Sequence, residues 1–259
     1  MTPFKVAIPA RYGSTRLPGK PLQMIAGRPM LEYVYHKALA SGAEEVVIAT
    51  DDLRIYRVAQ DFGAEVCMTA VEHASGTDRL AEVATRRAWP DEAIVVNLQG
   101  DEPLLPPDLL RQVARGLAGH PDAGIATLCT RIATAHEVFD PHVVKVVRDA
   151  QGYALYFSRA PIPYHRDEFF KDSDRLPLLP SSADYFRHLG LYAYRAADLR
   201  RYPQLPPCLL EQTECLEQLR ALGNGIRIYV GEAAEIPPPG VDTAQDLARV
   251  EAWLAARGD

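Results

Sequence analysis

The chain has 259 residues, 47% of them apolar and 24% charged, with 28 basic against 34 acidic side chains. Those fractions suit a folded globular domain and exclude disordered, collagen-like and coiled-coil chains. No block of like charge offers a footprint for nucleic acid, and no run of about 18 uncharged apolar residues offers a membrane span, so neither partner is expected.

In chain order, Phe4–Ile8 predicts a strand, Met30–Ser41 a helix and Glu45–Ala49 a strand. Leu53–Phe62 predicts a helix, Glu65–Met68 a short strand and Thr77–Ala88 a helix with Leu80, Val83 and Ala84 on one face. Ala93–Leu98 is a continuous apolar run, as in a strand covered on both faces. Pro107–Leu117 reads as a helix and Gly124–Thr130 as a strand. This alternation predicts an α/β fold, a mainly parallel sheet with helices on both faces. The rhythm then changes. Val143–Arg148 and Tyr153–Ser158 read as a β-hairpin closed by Asp149-Ala150-Gln151-Gly152, and Pro161–Ala183 as a long Pro-rich loop. Phe186–Tyr194 is β-like, Leu209–Leu222 helical, Ile226–Val230 a strand and Asp242–Arg257 a closing helix. The expected organisation is one domain over 1–259, with a smaller β-rich lobe inserted at about 131–195.

Met1–Ile8 enters an apolar run without the basic and hydrophobic regions of a secretory leader, so a cytoplasmic location is expected. Cys67, Cys129, Cys208 and Cys215 contain no C-x-x-C pair and read as thiols rather than zinc ligands or disulfides.

In an open α/β sheet, ligands sit beyond the carboxyl ends of the strands, so the loops that follow strands carry the chemistry. The loop after the first strand, Ala7 to Leu22, holds Arg11, Arg16 and Lys20 with Gly13 and Gly19. It is no P-loop, because Pro21 stands where a Mg²⁺-binding Ser or Thr should follow Lys20. Backbone N–H groups combined with three cations still suit a polyphosphate. In Gln99-Gly100-Asp101-Glu102-Pro103, Asp101 is placed either to hold Mg²⁺ or to cap a turn. His73 to Leu80 contains Gly76 and the candidate N-cap Thr77, a helix start that can attract anions. Asp242, before the last helix, is either that helix's cap or a second metal carboxylate. Asp172-Ser173-Asp174 spells the D-x-D of metal-binding glycosyltransferases but lacks an apolar strand before it. No G-x-S-x-G or H-E-x-x-H motif is present.

Ile8 to Leu22 resembles the opening loop of the 3-deoxy-manno-octulosonate (Kdo) cytidylyltransferase family. Ala49-Thr50-Asp51, His73 to Leu80, Asn97 to Pro103, Val144 to Val147, Ala154 to Ala160, Arg187 to Tyr192, Leu216 to Arg220 and Gly240 to Thr243 match in family order. Together they span residues 4 to about 250. The sequence departs at Leu209, where the family usually carries proline, and in the length of the 161–185 loop. The resemblance implies a nucleotide-diphospho-sugar transferase-like fold whose lobe at about 131–195 makes homodimer and sugar-side contacts. It implies Mg²⁺-dependent transfer of CMP from CTP to Kdo, feeding lipopolysaccharide synthesis, with Arg11, Lys20 and Asp101 catalytic. Nucleotide contacts would come from Ala10, Arg11, Ser14, Arg16, Lys20, Ser75, Gly76, Thr77, Gln99 and Asp101. Sugar contacts would come from Gln99, Arg159, His188, Tyr192, Glu217 and Gln218, and metal ligation from Asp101 and Asp242. Rival readings are a cytidylyltransferase for another acidic sugar (an 8-amino Kdo analogue or a sialic acid) and a glycosyltransferase.

Overall fold

The computed structural model describes residues 2–13, 17–169, 179–180 and 183–256. The predicted alternation is present. It runs β1 (Lys5–Ala10), a 3₁₀ turn (Lys20–Leu22), a small hairpin of β2 (Met24–Ile25) and β3 (Arg28–Pro29), α1 (Met30–Ala40), β4 (Glu45–Thr50) and α2 (Leu53–Asp61). It continues through β5 (Glu65–Met68), α3 (Gly76–Arg86), β6 (Ile94–Asn97), α4 (Pro107–Ala118), β7 (Ile125–Arg131) and α5 (Ala135–Phe139). The second half contains β8 (Lys145–Arg148), β9 (Ala154–Ser158), β10 (Phe186–Arg195), α6 (Ala196–Arg201), α7 (Leu209–Glu214), α8 (Gln218–Gly223), β11 (Ile228–Glu232) and α9 (Ala244–Ala255).

One sheet runs in the order β11-β7-β10-β6-β1-β4-β5, with β8 pairing β10 and β9 pairing β8. β1 is parallel to both β4 and β6, and β11 is parallel to β7. β10 lies antiparallel between β6 and β7. Period-two alternation sends Val6, Ile8, Val46, Ile48 and Val96 to one core, with α1 and α4. It sends Ala7, Val47, Ala49 and Val95 to a second core on the other face, with α3 and α6. Two covered faces explain why the β6 run carries no polar alternation.

Three local expectations are corrected, and three short features are new. The single helix expected over Leu209–Leu222 is two short helices, broken where Cys215 adopts a left-handed conformation at φ 51°. The β2–β3 hairpin, α5 and α6 went unpredicted, being too short to show periodicity. Ser75, not Thr77, caps α3 and forms a capping box with Asp78. Thr243, not Asp242, caps α9 in a second capping box with Asp246.

Candidate functional site

The parallel strands β1 and β6 end side by side, and their loops form one wall of a cleft. The two loops approach closely at Gly100, where a Cβ would stand 3.0 Å from the Pro9 carbonyl oxygen and force a small shift of the backbone. The cleft has a volume of about 410 Å³ and is lined by Arg11, Lys20, Gly76, Gln99, Asp101 and Asp242 among others. The Gly19 amide donates to the Tyr12 carbonyl at 3.2 Å. Gly19 takes φ +62°, and its missing Cβ leaves room for the Tyr12 ring, over which the Arg54 guanidinium lies at 3.3 Å. The chain then turns through Lys20–Leu22, with Pro21 buried, so the Lys20 stem starts from a fixed point.

Lys20 Nζ donates to Asp101 Oδ2 at 2.6 Å, to Asp242 Oδ1 at 3.0 Å and to the Val241 carbonyl at 3.0 Å. These three bonds account for all the donors of an ammonium. Burial disfavours the charge on Lys20, but the bonds and charges of Asp101 and Asp242 outweigh it and hold the group above its ordinary 10.5. The two acidic loops are also pinned directly, the Val241 amide donating to the Asp101 carbonyl at 2.9 Å. Glu102 lies against this pair. Its burial, then the charges of Asp101 and Asp242, push its carboxyl up to about 8 against the pull of Lys20.

Of the expected nucleotide contacts, Ala10, Arg11, Lys20, Gly76, Gln99 and Asp101 line this cleft. Ser75 stands beside it at the start of α3, its hydroxyl accepting from the Asp78 amide. Thr77 faces a different space. Ser14 and Arg16 lie outside the described residues, as does Asp172-Ser173-Asp174.

Thr77 lines a cavity of about 50 Å³ with Asn97, Gln99, Tyr192, Tyr194, Tyr202, Glu217 and Gln218. That is room for a few water molecules. Tyr202 donates to the Glu217 carbonyl at 2.7 Å, while Glu217 Oε1 is buried without a hydrogen-bond partner among the described residues. Burial raises the Tyr192 and Tyr194 hydroxyls well above 10, so both stay neutral donors. His188 borders a third cavity of about 370 Å³, lined by Gln99, Glu102, Leu105, Leu191 and the Ile236–Pro239 segment. Its Nε2 is 3.0 Å from Thr127 Oγ1, and its ring packs on Phe157 and Tyr192. Burial pushes His188 down to about 3. Gln99 borders all three spaces.

Arg159 lines none of these cavities. Its Nε donates to the Glu214 carbonyl at 2.8 Å and its Nη1 to the Pro141 carbonyl at 2.9 Å. Asn97, Glu102, Tyr194 and Tyr202 were not among the expected site residues. Asn97 had a visible signal, a polar residue inside an otherwise apolar strand. Tyr194 and Tyr202 had none, since buried aromatics read as core.

The arrangement concentrates cationic and acidic groups where two parallel strands end, next to a small hydroxyl-rich cavity that holds the Glu217 carboxyl group. It can neutralise a polyphosphate on one side and bind hydroxyl groups on the other. A family model described as cytidylyltransferase matches residues 6–228 of the chain. The 3-deoxy-manno-octulosonate cytidylyltransferase of Nitrosococcus oceani is 60% identical over 255 residues, covering 98% of this chain and 97% of its own. The protein of the same name from Thioalkalivibrio sulfidiphilus is 58% identical over 253 residues, covering 98% and 99%. The solved structure of CMP:2-keto-3-deoxy-manno-octonic acid synthetase complexed with CTP superposes with a TM-score of 0.87 at 44% identity, covering 98% of this chain and 99% of its own.

Proposed function

The chain belongs to the 3-deoxy-manno-octulosonate cytidylyltransferase family, and from that premise we propose that it transfers CMP from CTP to Kdo and releases pyrophosphate. The observation that carries this reading is the meeting of Lys20 with Asp101 and Asp242, at 2.6 and 3.0 Å, where β1 and β6 end. The anomeric hydroxyl of the sugar attacks the α-phosphorus and gives its proton to solvent, while the bond from the α-phosphorus to the α,β-bridging oxygen breaks and that oxygen leaves with pyrophosphate. Both reactants are anions, so the chain's tasks are to neutralise charge and align the approach.

Arg11 and Lys20 would hold the triphosphate and take up the charge growing on pyrophosphate. Ser14 and Arg16, in the same loop of the sequence, are assigned to the nucleotide on family likeness. Ala10, Ser75 and Gly76 would flank the nucleotide, with Thr77 on its sugar side. Gln99, bordering all three cavities, would stand between nucleotide and sugar. His188, Tyr192, Glu217 and Gln218 would receive the sugar's hydroxyl groups. The Glu217 oxygen left without a partner supports that role, because a buried acceptor without a donor is costly. Arg159 would act on the sugar through the segment it ties down.

Asp101 and Asp242 fit Mg²⁺. They bring hard oxygen donors to one cationic point, and Mg²⁺ takes one or two carboxylates with substrate phosphates rather than an all-protein cage. Bound there, Mg²⁺ supplies neutralisation of phosphate charge and acidifies a nearby hydroxyl. A cytoplasmic homodimer serving lipopolysaccharide synthesis, with the lobe at about 131–195 in its contacts, completes the proposal. Among the described residues no helix is long and apolar enough to cross a membrane.

Pyrophosphate release from CTP, measured with Kdo, without it and with a panel of acidic sugars, tests the reading. Release only with Kdo supports it. Faster turnover of a sialic acid or an 8-amino analogue reassigns the sugar, and release that ignores the sugar removes the transfer reaction.

A further inference from the structure

We infer that Lys20 keeps a divalent ion out of the Asp101–Asp242 pair until nucleotide arrives, so that metal and nucleotide enter together. The inference rests on the proposed reaction for the metal-holding pair and for naming CTP as the nucleotide. Three observations carry it. The ammonium sits between the same two carboxylates that a hard ion would take, at 2.6 and 3.0 Å. Its third donor is held by the Val241 carbonyl at 3.0 Å, so the lysine is seated in this place rather than sweeping through it. Its backbone is fixed by the turn at Lys20–Leu22 and by the bond from the Gly19 amide to the Tyr12 carbonyl.

A cation in that seat competes with any other cation for the same oxygens, and its charge repels a second one within a few ångströms. A polyphosphate changes the balance. The cleft holding Lys20 also holds Arg11 and Gly76, so a phosphate chain lying there offers the ammonium new anionic acceptors. Drawn toward them, Lys20 releases the carboxylates to the ion. Metal and nucleotide then raise each other's affinity by the same factor, as linkage requires. Lys20 thus acts twice: as the occupant of the acidic pair when nucleotide is absent, and as a phosphate ligand when it is present.

Mn²⁺ binding to the full chain without nucleotide, followed by the paramagnetic resonance of the free ion, is the test. Mn²⁺ takes the same carboxylate and water ligands as Mg²⁺. Lys20→Met and Lys20→Gln should each bind Mn²⁺ on the order of 10-fold more tightly than the parent chain. Lys20→Arg, which keeps the charge, should show no such gain, and adding Asp101→Asn to Lys20→Met should erase it. CTP should tighten Mn²⁺ binding more in the parent than in Lys20→Met. Equal or weaker Mn²⁺ binding by the neutral variants overturns the inference, and having two of them guards against one failing to fold. Pyrophosphate release by the parent is scored separately. Its absence alongside intact Mn²⁺ competition counts against the reaction, whereas normal release without competition counts against the lysine.

Discussion

Lys20 and Lys145 each satisfy a whole ammonium, in two different regions and with two different kinds of partner. At the strand ends, Lys20 is held by two carboxylates and one carbonyl. Beside the β8–β9 hairpin, the buried Lys145 is held by the carbonyls of Asp140, Val143 and Arg159 at 2.8, 2.6 and 2.6 Å. Carbonyls belong to the backbone, and no ligand can compete for them without unfolding the segment. Carboxylates at a cleft can exchange one cation for another. The first lysine is therefore suited to chemistry. The second fastens residues 140–159, and with them Arg159, beside α7.

Asp101→Ala should have the largest effect. Removing one of the two charge-bearing carboxylates should lower kcat by on the order of 10²-fold or more, while thermal unfolding stays near the parent value. A near-parental rate at saturating Mg²⁺ would erase the distinction between the two lysine sites. Lys145→Met should do the reverse, costing about 2–3 kcal/mol in urea unfolding because three carbonyls lose their donor. Unchanged stability there would mean that the carbonyl cage is not what fastens the segment.

Glu217→Gln sharpens the contrast in the cavity proposed for the sugar. It should raise KM for Kdo by roughly 10-fold, since hydrogen bonds to charged groups contribute about 1.5–3 kcal/mol. KM for CTP should barely move, and a rise in the CTP value instead would shift Glu217 to the nucleotide. His188 provides a pH signature. Its folded pKa of about 3 lies below the ordinary 6.5, so the unfolded chain binds more protons below pH 6.5. Stability should thus be intact above 6.5 and decline as pH falls toward 3. The ring borders a cavity, so we expect only about 1 kcal/mol lost between pH 7 and 5, and a flatter profile in His188→Gln. Thr243→Ala, which removes the α9 cap, should cost about 0.5–1 kcal/mol. Its Mg²⁺ dependence should stay unchanged if Asp242 is positioned by Lys20 and by the Val241–Asp101 bond rather than by the cap.

The sheet's parallel half was legible because apolar runs four to eight residues long, spaced by amphipathic helices, leave few other folds. The short elements were not. In the β2–β3 hairpin the turn is Ala26-Gly27, with φ 46° and 84°, where the usual signal would be Asn-Gly or Asp-Gly. Cys215 breaks a helix in a conformation that sequence assigns to glycine or asparagine. At the site, the cations and acids could be named one by one. Their meeting across 81 and 222 residues is a tertiary fact that local pattern does not encode. Arg159 reads as a ligand because arginine in a family motif is read by its charge. Its carbonyl partners become visible only when 141 and 214 are folded beside it.

The reversed strand β10 has a consequence for synthesis of the chain. β6 ends at Asn97 and β7 starts at Ile125, yet in the sheet β10, at 186–195, lies between them. A nascent chain released from the ribosome before that point presents two apolar strands with open edges, which invite pairing with other chains. Fragments ending before residue 186 should therefore accumulate as aggregates, and the whole chain should fold late and slowly for its size.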